Sequence, residues 1–246
     1  MFLDQYDTAG YSVKPYEPHA IETMKKTIKK GDWVIDLGAC IGYYTLVFAK
    51  LVGPKGKVFA FEPDKDNFKL LKKNVQLNDF NNVVCINKAV IDKVGTENLY
   101  LSDNIGGHVM YKETFEKSKS VKVQTTTVDE YFKDVNRNFN LIKMDIDGSE
   151  ARAIHGASRL LDRNAKIKML VEFAPERLKD SGIDNPNEFL DMLQDKGFKI
   201  SAVNEQKKRV EPADITSLIR KCKELEGDTK GQGVYVNLLC VKDGKD

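Results

Sequence analysis

The sequence predicts an α/β fold: a mostly parallel sheet of seven strands with helices on both faces and an antiparallel closing strand. Three observations carry that reading. Short continuous apolar runs recur with helical segments between them, which is how strands covered on both faces of a parallel sheet look. The first of these strands runs straight into a glycine loop that opens a helix. The last two candidate strands are separated by about 30 polar and charged residues, which suits an antiparallel closing pair rather than another crossover helix.

Taken in order, Pro18–Lys29 reads as a helix closed by Gly31 as its C-cap. The candidate strands are Trp33–Leu37, Lys57–Glu62, Val83–Asn87, Asn140–Ile146, Ile167–Phe173, Gly197–Val203 and Val234–Val241. Helices are expected at Tyr43–Val52, at Asp66–Leu77 with Phe68, Leu71 and Val75 on one stripe, at Ser149–Leu161 and at Glu188–Lys196. From Val94 to Thr127 the alternation breaks. Two β-rich pieces, Glu97–Leu101 and Val121–Thr126, flank Gly106-Gly107 and predict a hairpin-like insertion beside the carboxyl edge of the sheet. The expected organisation is one domain: an N-terminal helix and lid (1–30), a core (31–175) carrying the insertion (94–127), and C-terminal helices and closing strands (176–246).

Composition narrows the function. With 246 residues, 41% hydrophobic and 31% charged, the chain can bury a core of its own and is neither disordered nor disulfide-dependent. Lys+Arg 39 against Asp+Glu 37 leaves +2, so no global electrostatic footprint for nucleic acid or an anionic membrane is present. Cys40, Cys85, Cys222 and Cys240 form no CxxC pair, and a reducing cytoplasm is the expected location. Neither a signal peptide nor a run of roughly 18 apolar residues is read from the sequence.

The strongest local signal is VIDLGACIGYYT. A dinucleotide loop needs G-x-G-x-x-G so that backbone can approach a pyrophosphate. Here Gly38, Ala39, Cys40 and Gly42 leave Cys40 at the second glycine, and Asp36 stands two residues ahead of the first. A carboxylate there repels pyrophosphate and attracts ammonium or sulfonium, which points to S-adenosylmethionine. Twenty residues on, Glu62 of FEPD closes the second strand, where a carboxylate can accept hydrogen bonds from both ribose hydroxyls, with Pro63 beside it. Asn87, Lys88 and Ala89 end the third strand at the expected adenine edge. Tyr16 and Glu17 are expected to fold over the cofactor's amino-acid end as a lid, or else to pack against the domain.

The succession YEPHAIETMKKTIKKGDWVIDLGACIGYYT, GKVFAFEPDKDNFKLLKKNVQLND, NKAVID, TTTVDEYF, LIKMDIDGSEARAIHGA, LVEFAPE and YVNLLCV resembles the FkbM-type family of S-adenosylmethionine-dependent methyltransferases. The resemblance runs from Tyr16 to Val241, and LIKMDIDGSEARAIHGA is its most specific segment. It implies a class I, Rossmann-like methyltransferase sheet and methyl transfer to oxygen on sugar, polyketide or related hydroxyls, with S-adenosylhomocysteine as product. One departure is Asp147, where the family usually has Glu.

On its own terms that segment places Lys143 and Asp145 on one face of a strand and Ile142 and Met144 on the other. A lysine in so apolar a strand needs a partner, and Asp145, Asp147 or Glu172 is expected to supply it. Asp145 and Glu172 are the candidate catalytic acids: one orients the acceptor hydroxyl and takes its proton, with Lys143 fixing that carboxylate. A divalent metal on Asp145, Asp147, Glu150 and Glu172 is the alternative not favoured, because no His joins them. Asp147 and Glu150 also read as an N-cap and its reciprocating third residue. Lys143 with Glu172 reads equally as a structural ion pair, and Cys40 as a packing residue.

His108, in the insertion, is the candidate substrate contact; His155 is expected partly buried on its helix, and His19 at a helix start. The basic run at Lys207, Lys208, Arg209, Arg220, Lys221 and Lys223 reads as a solvated face, or as a guide for an acidic acceptor. The expected acceptor is a small molecule, sugar or lipid-linked glycan, with oligomeric state left open. Two competing functions remain at this level: an RNA ribose methyltransferase, disfavoured by the charge balance, and a non-catalytic S-adenosylmethionine-binding scaffold.

Overall fold

The computed structural model describes residues 1, 15–101, 110, 119–179, 182–213, 216–220 and 234–244. Its elements alternate through the core: α1 (Pro18–Thr27), β1 (Trp33–Leu37), α2 (Tyr43–Val52), β2 (Lys57–Phe61), α3 (Lys65–Leu77), β3 (Val83–Ile86), β4 (Ala89–Val90), β5 (Gly95–Tyr100), β6 (Ser120–Thr126) and α4 (Val128–Tyr131). There follow β7 (Leu141–Met144), α5 (Glu150–His155), α6 (Ser158–Arg163), β8 (Ile167–Phe173), α7 (Pro175–Leu178), α8 (Pro186–Asp195), β9 (Lys199–Asn204), β10 (Arg209–Pro212) and β11 (Val236–Lys242).

The main sheet runs β10-β9-β11-β8-β7-β1-β2-β3. β3, β2, β1, β7 and β8 are parallel neighbours, and β11 is inserted between β8 and β9, antiparallel to both. The closing strand is therefore antiparallel as expected, but the sheet has eight strands rather than seven. The extra one, β10, folds back on β9 through a tight turn in which Lys208 adopts φ 52. Lys207 and Arg209 of the expected basic run both pair with Glu211 there, which accounts for two of its charges; Lys221 and Lys223 lie outside the described residues.

Side-chain alternation along β1 divides the core. Val34 joins α1 and α2 on one face with Met24, Phe48 and Leu141, whereas Ile35 and Leu37 join α5, α6 and α8 on the other with Ile142, Ile154 and Leu161. The insertion builds a second sheet, β4-β6-β5, whose antiparallel β5–β6 pair is the expected hairpin. Its Gly106-Gly107 tip lies outside the described residues.

Three local expectations are corrected. The helix expected at Ser149–Leu161 is two, α5 and α6, broken at Gly156. A Cβ on Gly156 would stand 2.2 Å from the Ile91 carbonyl oxygen, so the β4 segment presses on the chain there. Asp129 then accepts from the backbone N–H groups of Arg159 and Leu160, starting α6 anew. α1 ends at Thr27, before Gly31, and the Glu205 carboxylate from the β9–β10 turn caps it by accepting from His19 and Ala20 N–H. His155, expected partly buried, is exposed.

Candidate functional site

At the carboxyl end of β1 the chain makes the turn that its glycines permit. Gly38 has φ 77 and Gly42 φ 97, and Cys40, with φ 50, takes the left-handed region without being glycine. Gly38 passes so close to the β7 terminus that a Cβ there would stand 1.8 Å from the Asp145 carbonyl oxygen. Gly38 and Ala39 donate backbone N–H bonds to Phe61 O, which locks the loop to β2. Glu62, next in the chain, accepts from Cys40 N–H at 2.8 Å and from Asp64 N–H at 2.8 Å, one on each carboxylate oxygen. Burial pushes the Glu62 carboxyl up to about 8, although both backbone bonds oppose the rise.

A cavity opens over this turn. Gly38, Glu62, Pro63, Lys88, Ala89, Asp145 and Ser149 line it, with an apolar wall that includes Leu99 and Met110. The insertion sheet thus closes one side of it. Asn87 reaches elsewhere: its side-chain amide donates to Glu62 O and Pro63 O, tying β3 to the β2 turn. Of the acids Asp36, Glu62, Asp145 and Glu172, Glu62 and Asp145 line the cavity, while Asp36 and Glu172 lie buried behind it.

Lys143 is the hub of those buried groups. Its Nζ donates to Asp145 Oδ2 at 3.1 Å, stands 4.0 Å from Asp36 Oδ1 and lies 4.8 Å from the centre of the Tyr44 ring. Burial alone would depress its ammonium, but Asp145 and Asp36 outweigh burial and hold it raised. Asp36 is itself raised by burial, with Lys143 and the Thr45 hydroxyl opposing. The partner of Lys143 is therefore Asp145 together with Asp36. Glu172 takes Arg177 instead, at 3.7 Å, and burial with the charges of Asp145, Glu150 and Glu17 drives its carboxyl well up. Asp145 has a side chain 24% exposed, against 5% for Lys143 and 7% for Glu172, so it is the member of this group that a ligand can reach.

Asp147 does not cap α5. It adopts φ 52 and is bound tightly by Arg177, while Ser149 occupies the N-cap and Glu150 reaches back to accept from Ile146 N–H at 2.9 Å. The expected capping box is therefore absent, since Glu150 serves Ile146 N–H and not an N-cap N–H, and burial raises Glu150 to about 7. No cluster of three metal-ligating side chains occurs among the described residues.

Ahead of α1, Glu17 is buried in a left-handed conformation and accepts from the Tyr44 hydroxyl at 2.5 Å and from the Asn237 amide at 2.6 Å. Tyr16 stacks edge-on against Tyr43, whose hydroxyl donates to the Tyr16 carbonyl. Both residues pack down on the domain. His108 lies outside the described residues. Sequence reasoning missed Arg177, Thr45, Tyr44 and Asn237; the unmatched acids at Asp147 and Glu172 were the available signal for Arg177.

The donor set fits an adenosylated cation. Each Glu62 oxygen keeps a lone pair beyond its backbone bond, ready for a ribose hydroxyl. Among the described residues no helix is long and apolar enough to cross a membrane.

Comparison with known proteins agrees with this geometry. The chain is similar, at 27% identity over 203 residues, to the methyltransferase sdnD of Sordaria araneosa, covering 69% of this chain and 74% of that protein. A 70-residue stretch is 41% identical to a probable cobalt-precorrin-6B C(15)-methyltransferase (decarboxylating) of Sulfurisphaera tokodaii, covering 28% of this chain and 36% of that one. In fold it matches a SAM-dependent O-methyltransferase from Thermotoga maritima (TM-score 0.52, 14% identity, 98% of this chain and 71% of that chain). It also matches a Streptococcus mutans protein in complex with S-adenosylhomocysteine (TM-score 0.53, 11% identity, 94% and 99%). The profile of the methyltransferase FkbM domain matches residues 36–200, and the chain belongs to this family of S-adenosylmethionine-dependent methyltransferases.

Proposed function

We propose that this chain transfers a methyl group to a hydroxyl oxygen of a small-molecule, sugar or lipid-linked acceptor, as a single catalytic domain. The observation that carries the reading is the Lys143–Asp145 pair: a buried, charged lysine grips one oxygen of the reachable carboxylate at the cavity. When bound, S-adenosylmethionine supplies a methyl group made electrophilic by its sulfonium. The chain's own task is positioning and proton removal. Glu62 accepts from the ribose hydroxyls, the Gly38–Gly42 turn carries the amino-acid end, and Pro63, Lys88 and Ala89 border the adenine, with Asn87 holding that wall in place. Tyr16 and Glu17 brace the site from the α1 side, Glu17 through its bond with the Tyr44 hydroxyl.

Lys143 occupies Asp145 Oδ2, which leaves Oδ1 to accept the acceptor's hydroxyl proton as the methyl is transferred; such a base contributes about 10²–10⁴-fold. Arg177 and Glu172 form the neighbouring pair that shapes the acceptor's approach. The free thiols of Cys40, Cys85 and Cys240 support a reducing compartment, and we place the protein in the cytoplasm.

The test incubates the protein with methyl-labelled S-adenosylmethionine and a whole-cell extract, then separates protein, RNA, lipid and small-molecule fractions. Label is expected in the small-molecule or lipid fraction with the native chain and not with Asp145→Asn. Label in RNA or protein instead overturns the acceptor class, and undiminished labelling by Asp145→Asn overturns its role as base.

A further inference from the structure

Asp36 stands where a cofactor-binding acid was expected, yet no part of it borders the cavity. It is fully buried in β1, directly across the β1–β7 ladder from Lys143. The Thr45 hydroxyl donates to its Oδ2 at 2.5 Å, which fixes the carboxylate plane. Oδ1 is left buried with no hydrogen-bond partner, 4.0 Å from Lys143 Nζ. A carboxylate oxygen removed from water with no donor of its own is costly unless a cation faces it, and Lys143 is that cation. The lysine in turn has three N–H groups: one goes to Asp145, one faces the Tyr44 ring and one faces Asp36.

We infer that Asp36 is a positioning residue: fixed by Thr45, it holds the Lys143 ammonium against Asp145 from behind and makes no contact with the cofactor. The inference rests on Asp145 being the base. Without Asp36, Lys143 loses its inner anchor and is free to tilt toward the other acids facing it, Glu17 ahead of α1 and Glu172 of β8. Asp145 then loses the fixed direction of Oδ1. Tyr44, hydrogen-bonded to Glu17, bounds the cage on the α2 side.

Three readouts test this on the full chain carrying ¹³Cε-labelled lysine, with the Lys143 resonance assigned by its loss in Lys143→Arg. These are the Lys143 titration by NMR, S-adenosylhomocysteine affinity by calorimetry, and turnover on the extract fraction that takes label. For Asp36→Asn the Lys143 midpoint is expected to fall by about one to three pH units, the loss of a close opposite charge. Turnover is expected to fall about tenfold or more through kcat, while S-adenosylhomocysteine affinity stays within about threefold. Thr45→Val should move the same readouts in the same direction, and Thr45→Ser, which keeps the donor, should restore them.

An unmoved Lys143 midpoint overturns the inference, as does a large loss of S-adenosylhomocysteine affinity without a Lys143 shift, which would return Asp36 to the cofactor. Should Asp36→Asn fail to fold, the Thr45→Val and Thr45→Ser pair decides by the same criteria. Full turnover by Asp145→Asn overturns the base assignment alone, because the Lys143 titration still reports on Asp36.

Discussion

The two ends of the cavity are made of different material. At the ribose end one working side chain, Glu62, is held by backbone: Gly38 and Ala39 bond to Phe61 O, and Cys40 and Asp64 N–H groups hold the carboxylate, all within residues 38–64. At the Asp145 end the support is side-chain charge: Asp36, Lys143, Asp145, Asp147, Glu172 and Arg177 come from β1, β7 and the turn after it, β8 and α7, and hold one another by ion pairs. A backbone-built end is sensitive to the space a side chain takes and indifferent to most side-chain deletions. A charge-built end responds the opposite way.

The sharpest break is at Gly38, where the two ends touch. Gly38→Ala would drive a Cβ to 1.8 Å from Asp145 O while demanding φ 77 of an L residue. Together these cost on the order of 3–5 kcal/mol. S-adenosylhomocysteine binding is expected to disappear in calorimetry and the thermal midpoint to fall; a variant binding normally would show that the two ends are not in rigid contact. Next in size is Asp145→Asn, which keeps shape but removes the base. Turnover is expected to fall about 10²–10⁴-fold with S-adenosylhomocysteine affinity little changed.

The same division explains what the sequence discloses. The β1–α2 turn and Glu62 are contiguous, so strand, glycines and acid are read in one pass. Lys143 announces itself as a charge in an apolar strand. Arg177 is marked only indirectly, by the unmatched acids at Asp147 and Glu172, because PER after a strand looks like any exposed helix start until the fold brings it against them. The depth of Asp36 is equally silent: it depends on β7 lying alongside β1 with Lys143 in register. The split of the Ser149–Leu161 helix is decided by Ile91 pressing on Gly156, a contact 65 positions away in sequence that no local period encodes.

A smaller effect comes from the titration of Glu62. Its carboxyl is raised from 4.5 to about 8 by burial, so the empty protein keeps that proton through neutrality. Two consequences have definite signs. The stability this protonation confers is complete below about pH 4.5 and is lost as pH rises through about 8. Ribose hydroxyls donate to the ionised form, so S-adenosylhomocysteine affinity rises with pH up to about 8 and then levels. In Glu62→Gln the rise should vanish and affinity should drop by roughly tenfold or more, as for loss of hydrogen bonds to a charged group. A pH-independent affinity in the native chain would mean that Glu62 is already ionised when empty.

The smallest expected effect is the most discriminating. Cys40 occupies the second glycine position of the loop with φ 50, and its contribution to the site is its N–H, which donates to Glu62. Burial and the Glu62 charge push the thiol up, so it is not a nucleophile at neutral pH. Cys40→Gly removes the side chain, keeps the N–H and relieves a left-handed L residue, which favours the folded state by up to about 1 kcal/mol before the added freedom of the unfolded chain is counted. Binding and turnover should stay within about twofold of the native chain, with the thermal midpoint level or slightly higher. A side-chain deletion at the residue whose N–H holds Glu62 would then be silent where Asp145→Asn, a change of one atom, removes the base. If Cys40→Gly instead costs tenfold in either quantity, the thiol itself contacts a ligand, and Glu62 is not the one side chain working at the ribose end.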